Sequence, residues 1–364
     1  MNENKPISKK KTIFSVIVVL LITILVFSLF LNFEDINLVI ENIKHVESKN
    51  MWLSFLFLIL YFLTWPISLC VIGSTRKEYK KHFLDYYLVG GAEHFFNGIT
   101  PFATGGQPIQ MYMLSKRKIN SGEATGVVLA NFIVILVASN IFSIISLFFY
   151  DKFSQNFTPS TSWMIIFGFV MNLFTLFFII MVSTFKFVRD FLRKIILLVC
   201  KIKFIGKHLE KAVPMFDDYC LNAQTAVKEV LSHFWIFILA VITKLISFAF
   251  YYAIPYFILK ALGVNLGIDM IWLSILASSF ALTTMVWVPT PGGMGGIEFA
   301  FTTIFTVSIF GGISNDLGVS GMILWRGLTY YLLLIISFIT YLLCIFRVNY
   351  YNKKEKQLIE EKSN

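Results

Sequence analysis

Charge is scarce in this sequence: Asp, Glu, Lys and Arg make up 14% of the 364 residues, against 57% hydrophobic. A water-soluble domain of that composition would expose apolar surface over its whole exterior, which excludes a freely soluble globular fold. Cysteine is scarce too, and the four present (Cys70, Cys200, Cys220, Cys344) form no close-spaced pair. That argues against a disulfide scaffold or a thiolate metal site and predicts reduced, structurally ordinary thiols. No phosphate-cradling loop is present, because Gly292-Gly293-Met294-Gly295-Gly296 lacks a following Lys-Ser or Lys-Thr and a preceding strand. ATP-driven work by this chain alone is therefore not expected. No metal, cofactor or catalytic set is assigned.

What is abundant is apolar length. Runs of about twenty residues cover 13–31, 52–72, 125–149, 162–184, 233–260 and 320–346, each long enough as a helix to cross roughly 30 Å of hydrocarbon. Six spanning helices are predicted. The first follows Lys9, Lys10 and Lys11, yet no small-residue cleavage site comes after it, so it reads as an uncleaved anchor and not as a signal peptide. The net charge of +10 raises the question of nucleic acid, and its distribution answers it. Segments 1–12, 73–86, 115–123, 185–232 and 347–364 hold about twice as many basic as acidic residues, the mark of cytoplasmic loops. Segments 32–51, 150–161, 260–270 and 311–319 are net acidic. The basic excess is thus a membrane-orientation signal that places both termini in the cytoplasm, and no nucleic-acid partner is expected.

Basic loops flank residues 86–114 on both sides: Arg76, Lys77, Lys80 and Lys81 before, Lys116, Arg117 and Lys118 after. The segment must therefore leave and return on one face. Its middle, Asn97-Gly98-Ile99-Thr100-Pro101-Phe102-Ala103-Thr104-Gly105-Gly106-Gln107-Pro108, cannot continue as a helix. Arms of about thirteen residues are too short to span, so a re-entrant hairpin is predicted. Its unwound tip must be shielded by protein or line a wet cavity. Residues 270–310 repeat the arrangement from the opposite face around Val288-Pro289-Thr290-Pro291-Gly292-Gly293-Met294-Gly295-Gly296. Both tips read T-P-x-x-x-G-G, and the flanking spans run in opposite senses, so the halves form an inverted repeat of the kind transporters use.

The fold expected is an all-α polytopic membrane protein, six spans plus two re-entrant broken hairpins in inverted repeat. A basic N-terminus (1–12) precedes one transmembrane domain (13–346), which ends in a charged cytoplasmic tail (347–364). Within that domain, residues 186–232 alternate basic residues with Phe187, Phe191, Leu192, Ile195, Ile196, Leu198 and Val199 until Pro214 breaks the pattern. This segment is expected to lie on the inner leaflet, drawn to anionic lipid, with a structural elbow as the alternative.

Glu93, His94, Lys244, Glu298 and Arg326 fall inside membrane segments, where a charge costs roughly 2.5 to 3.5 kcal/mol and demands a partner or a wet cavity. Lys244 sits near the centre of its span; Arg326, seven residues into the last one, is within snorkelling reach of an interface. Two carboxylates and two cations are expected to neutralise one another, either as buried ion pairs holding the bundle or as a headgroup site. In the second case the cations face an anionic headgroup and the tip amides cradle its phosphate. His94 reads equally as a hydrogen-bonded core histidine.

Thr100-Pro101-Phe102-Ala103-Thr104-Gly105-Gly106-Gln107-Pro108, Pro291-Gly292-Gly293-Met294-Gly295-Gly296-Ile297-Glu298 and Arg326-Gly327-Leu328-Thr329-Tyr330-Tyr331 resemble the motifs of a known family. It is the lysylphosphatidylglycerol synthase transmembrane-domain family, the membrane half of MprF-type multiple peptide resistance factors. The resemblance runs from about residue 10 to 348 and implies a flippase-like fold. Such a fold moves phospholipid, in the best-known members aminoacylated phosphatidylglycerol, between leaflets of a bacterial plasma membrane. Carried over by position, Tyr330 joins the expected headgroup-binding set: Thr100, Pro101, Gly105, Gly106, Gln107, Thr290, Pro291, Gly292, Gly293, Gly295 and Gly296, with the intramembrane charges Glu93, Lys244, Glu298 and Arg326. Many relatives carry an arginine near the positions of Gln107 and Gln110, so headgroup preference does not carry over. Full-length synthases continue into a soluble aminoacyl-transfer domain. This chain is expected to lack that domain, so a phosphatidylglycerol lysyltransferase label would be inherited and enzyme activity is not expected. Expected partners are membrane phospholipid and anionic inner-leaflet lipid, with a separate lipid-modifying synthase and a second copy of the chain as further candidates.

The leading expectation is a lipid translocator. The alternatives are a membrane-embedded lipid transferase, for which Asp217-Asp218 offers the one cytoplasmic acidic pair, and an ion-coupled solute transporter.

Overall fold

Capping residues and prolines set where the helices begin and end. The computed structural model describes residues 36–76, 79–200, 212–285, 287–307 and 310–363; the predicted first span lies outside them. The first half contains α1 (Ile36–Lys44), α2 (Ser48–Thr64), α3 (Ile67–Gly73), α4 (Tyr79–Gly98), α5 (Gly106–Lys116), α6 (Ser121–Leu147) and the short α7 (Tyr150–Phe153). Then come α8 (Pro159–Thr184), α9 (Lys186–Cys200), α10 (Ala212–Ser232) and α11 (Phe234–Ala261). The chain closes with α12 (Met270–Met285), α13 (Gly296–Phe305), α14 (Asn315–Arg326), a π-helical turn (Gly327–Leu332) and α15 (Leu333–Ser363). Every regular element described is helical, and one isolated antiparallel bridge joins Pro101 to Pro291.

The starts follow local chemistry. The Asn120 side chain accepts from the Gly122 amide to open α6, Thr158 caps α8 ahead of Pro159, and Ser314 accepts from the Leu317 amide to open α14, each satisfying a donor that a helix start leaves orphaned. Five helical stretches are long and apolar enough to cross a membrane: Ser48–Gly73, Ser121–Leu147, Pro159–Val182, Phe234–Ala261 and Asn315–Lys353. They match the second to sixth predicted runs. The protein is a multi-pass, all-helical membrane protein.

The two broken segments are helix–loop–helix units, and the first one's arms differ from the thirteen or so residues predicted for each. α4 has 20 residues and α5 has 11, while α12 has 16 and α13 has 10. α4 is longer because Tyr79–Asp85, with Lys80, Lys81 and His82, continues the helix. Pro214 also departs from expectation: it lies in the first turn of α10 instead of breaking a helix, a position where its missing N–H costs nothing.

Packing is crossed between the halves. The helices that precede the broken units, α2–α3 and α11, lie against each other. α4 packs along α15, the last helix, whereas α12 packs along α6, the helix that follows the first unit. Each unit therefore leans on the long helix belonging to the other. The largest core gathers Tyr252, Ile258, Phe280, Phe301, Phe305 and Trp325 around α11–α14.

Candidate functional site

The two T-P-x-x-x-G-G tips adopt the same turn. In the first, the Ala103 amide donates to the Thr100 carbonyl at 3.3 Å, with φ of 55° at Phe102 and 50° at Ala103. In the second, the Gly293 amide donates to the Thr290 carbonyl at 3.2 Å, with φ of 60° at Gly292 and 66° at Gly293. Proline at the second position and a left-handed third residue are the signature of a type II turn. Glycine takes that conformation freely in the second tip; in the first, Phe102 and Ala103 take it against the preference of a side chain. Thr100 also accepts from the Gly105 amide at 2.9 Å and donates to the Phe96 carbonyl at 2.7 Å, tying the loop back onto α4. Thr290 donates to the Met294 carbonyl at 2.7 Å.

The tips touch. Pro101 and Pro291 face one another in the antiparallel bridge, and since neither proline has an N–H, the bridge runs through their neighbours' main chain. Tyr330, from the π-helical turn, donates its hydroxyl to the Gly98 carbonyl at 2.9 Å. Its ring lies so close to the second tip that a Cβ on Gly292 would stand 2.2 Å from Tyr330 Cε2. One tyrosine thus contacts both tips, from a π turn of the kind that recurs at functional sites.

Beside each tip lies a buried carboxylate, solved differently. Glu298 Oε1 accepts from Arg326 Nε at 2.6 Å, and its Oε2 accepts from the Gly295 amide at 2.7 Å, with both residues 2% exposed. Arg326 also donates to the Gly292 carbonyl at 3.2 Å and lies 4.6 Å from the Tyr330 ring centroid. Arg326 therefore turns inward to its partner and does not snorkel, because a fully paired guanidinium avoids the desolvation cost of an unpaired one.

Glu93, 1% exposed, is bound by neutral donors: Trp65 Nε1 at 3.0 Å, Gln110 at 3.1 Å, Gln107 at 3.3 Å and Asn97 at 3.4 Å. Of the two carboxylates expected to meet a cation, Glu93 has no salt bridge to Lys244. Trp65 stands between them. Lys244 Nζ lies 3.4 Å from the Trp65 ring centroid and donates to the Trp65 carbonyl at 2.8 Å, while the same indole's N–H serves Glu93. A cation–π contact and a carbonyl in a dry setting replace the carboxylate as the lysine's partner. Gly106 lets the second arm close on this network: a Cβ there would stand 2.5 Å from Glu93 Cγ, and its amide donates to Asn97 at 2.8 Å. His94 lies between Tyr61 and Trp65 in tilted ring contacts, and its Nε2 is buried with no hydrogen-bond partner.

Residues 15–337 match the family described as the lysylphosphatidylglycerol synthase TM region. The chain belongs to that family. A relative from Archaeoglobus fulgidus, named a UPF0104 membrane protein, is 25% identical over 321 residues, 86% of this chain and 92% of the relative.

For this member of the lysylphosphatidylglycerol synthase TM region family, the structure gathers both tips, Tyr330, Glu298 and Arg326 into one contact region, with Glu93 and Gln107 against the first tip and Lys244 one tryptophan away. Trp65 and Asn97 went unnoticed in the sequence. Asn97 stands one helical turn after Glu93, a spacing that could have flagged it; Trp65 precedes Pro66 inside an apolar run, where nothing marks it. Asp217 pairs with Arg193 at 3.3 Å, both about half exposed, the arrangement of a solvated surface pair. Among the described residues the four cysteines are free; burial raises the pKa of Cys220, on α10, which keeps it a thiol.

Proposed function

We propose that the protein translocates phospholipid between leaflets, with anionic or aminoacylated phosphatidylglycerol-type lipids as the substrate class. In this reading six spans carry two hairpins that re-enter from opposite faces as an inverted repeat, with both termini in the cytoplasm of a bacterial cell. The observation that carries it is the meeting of the two like-shaped tips, each with a buried carboxylate beside it and all closed by Tyr330.

Magnitudes say which contacts give way. The tip bridge and the Tyr330 hydroxyl bond are worth about 1 kcal/mol each, a load that thermal motion overcomes on the microsecond-to-millisecond scale. Breaking the Glu298–Arg326 pair costs about 3 to 5 kcal/mol. The tips therefore part while each polar cluster stays assembled, and a headgroup slides between them past the amides and carbonyls of Thr100–Gly106 and Thr290–Gly296. Acyl tails remain in hydrocarbon throughout.

The pure protein reconstituted in vesicles with fluorescent phospholipids tests the proposal. Leaflet exchange should exceed that of protein-free vesicles for at least one anionic or aminoacylated lipid; no acceleration for any of them refutes translocation. Topology has its own test: cysteines placed at Lys116 and Lys194 should label from the same side of the membrane.

A further inference from the structure

About 12 Å along α4 from Glu93, a second polar cluster sits outside the tip region. Asp85 is 3% exposed. Its Oδ1 lies 2.9 Å from Arg347 Nε and 3.0 Å from Arg117 Nε, and His82 Nδ1 lies 3.1 Å from its Oδ2. The Arg117 guanidinium stacks 3.8 Å from the Tyr351 ring centroid, with Arg347 at 5.3 Å from the same ring. The cluster joins three places: the early turns of α4, the end of α5 and the middle of α15.

Two features go beyond what an ion pair needs. Both arginines reach one carboxylate through Nε, and among the described residues neither has another acidic partner. Two guanidiniums against one carboxylate leave positive charge unmatched, and a guanidinium's terminal nitrogens form the fork that grips a phosphate. The location fits the same ligand. Residues 327–346 carry no Asp, Glu, Lys or Arg, and Arg347 is the first charge after them, with Tyr350 and Tyr351 close behind; Arg117 likewise follows the hairpin arm. This is the boundary where headgroups lie and interfacial tyrosines collect. A crevice of about 10 Å³ lined by Asp85, Leu88, Val89, Met113, Arg117 and Arg347 lies beside the cluster, room for about one water until the Asp85 carboxylate gives way.

We propose that Arg117 and Arg347 form a binding site for a phosphate monoanion at the base of the first hairpin, a phospholipid headgroup or a free phosphate, with Asp85 as the internal anion that the ligand partly displaces. The site is separate from the tips, and its test reads binding at rest, so it stands or falls independently of translocation.

Native mass spectrometry of the full chain, after incubation with phosphatidylglycerol or phosphatidylcholine, measures it. The wild type should retain phosphatidylglycerol roughly tenfold better. D85N, which removes the competing carboxylate, should retain more. R117K/R347K keeps the charge but not the fork and should retain less, and the neutral D85N/R117Q/R347Q should show no preference. Millimolar inorganic phosphate that strips the lipid assigns the site to phosphate itself; retention against it assigns the site to the lipid headgroup. Equal retention of both lipids by the wild type, or an unchanged preference in the neutral triple variant, overturns the proposal. So does a folded D85N that binds as poorly as the triple variant, since the cluster would then be only a structural clasp. If D85N does not yield monodisperse protein, R117K/R347K and the triple variant decide.

Discussion

Arg326→Gln removes a guanidinium that holds two things at once, the Glu298 carboxylate at 2.6 Å and the Gly292 carbonyl at 3.2 Å. The site is 2% exposed at both residues, so water cannot replace the lost partner. Glu298 keeps the Gly295 amide at 2.7 Å, but a buried carboxylate without its cation costs about 3 to 5 kcal/mol, and the orphaned carbonyl adds about 1. At about 2 °C per kcal/mol for a chain of this size, the apparent unfolding temperature should fall by roughly 8 to 12 °C. Intrinsic tryptophan fluorescence in detergent, at one fixed scan rate because membrane proteins unfold irreversibly, reads this directly. The companion E298Q/R326Q removes both charges and leaves two amides able to bond, so it should recover at least half the loss. An R326Q protein within 2 °C of wild type, or a double variant as unstable as the two single losses added together, would refute the view that this pair carries the second tip.

G292A forces a Cβ to 2.2 Å from Tyr330 at a φ of 60°; lipid exchange in vesicles should fall at least tenfold, and near-normal exchange would show that the tip contact is dispensable. F102G relieves a left-handed side chain at a position that is 46% exposed, so the unfolding temperature should hold or rise by the few degrees that about 1 kcal/mol represents; a marked drop would mean that the Phe102 ring packs usefully. E93Q presents a side-chain amide to donors that now meet a carboxylate. Exchange should slow without any change in its response to an imposed pH gradient, whereas loss of such a response would favour an ion-coupled solute carrier.

Much of the architecture was legible in residue order alone. Apolar runs mark where a helix can cross hydrocarbon, and five of six runs reappear within helical stretches at the expected places. Thr-Pro and Gly-Gly breaks at 100–106 and 290–296 announced the two loops, because proline and glycine act on the backbone wherever they stand. Tyr330 was reachable only through family resemblance. Trp65 was not legible, since an indole that serves a carboxylate with its N–H and a lysine with its face looks like any other apolar residue in a run.

Residue order was enough to mark the helical segments and their breaks, since those properties depend on neighbours in the chain. Only the tertiary structure decided who meets whom. Glu298 received a cation because α14 ends beside α13, and Glu93 received four neutral donors because Trp65 lies between it and Lys244. The Asp85 cluster exists because the middle of α15 comes to rest against the early turns of α4. Partner choice depends on separations of a few ångströms between residues hundreds of positions apart, and no local pattern encodes that.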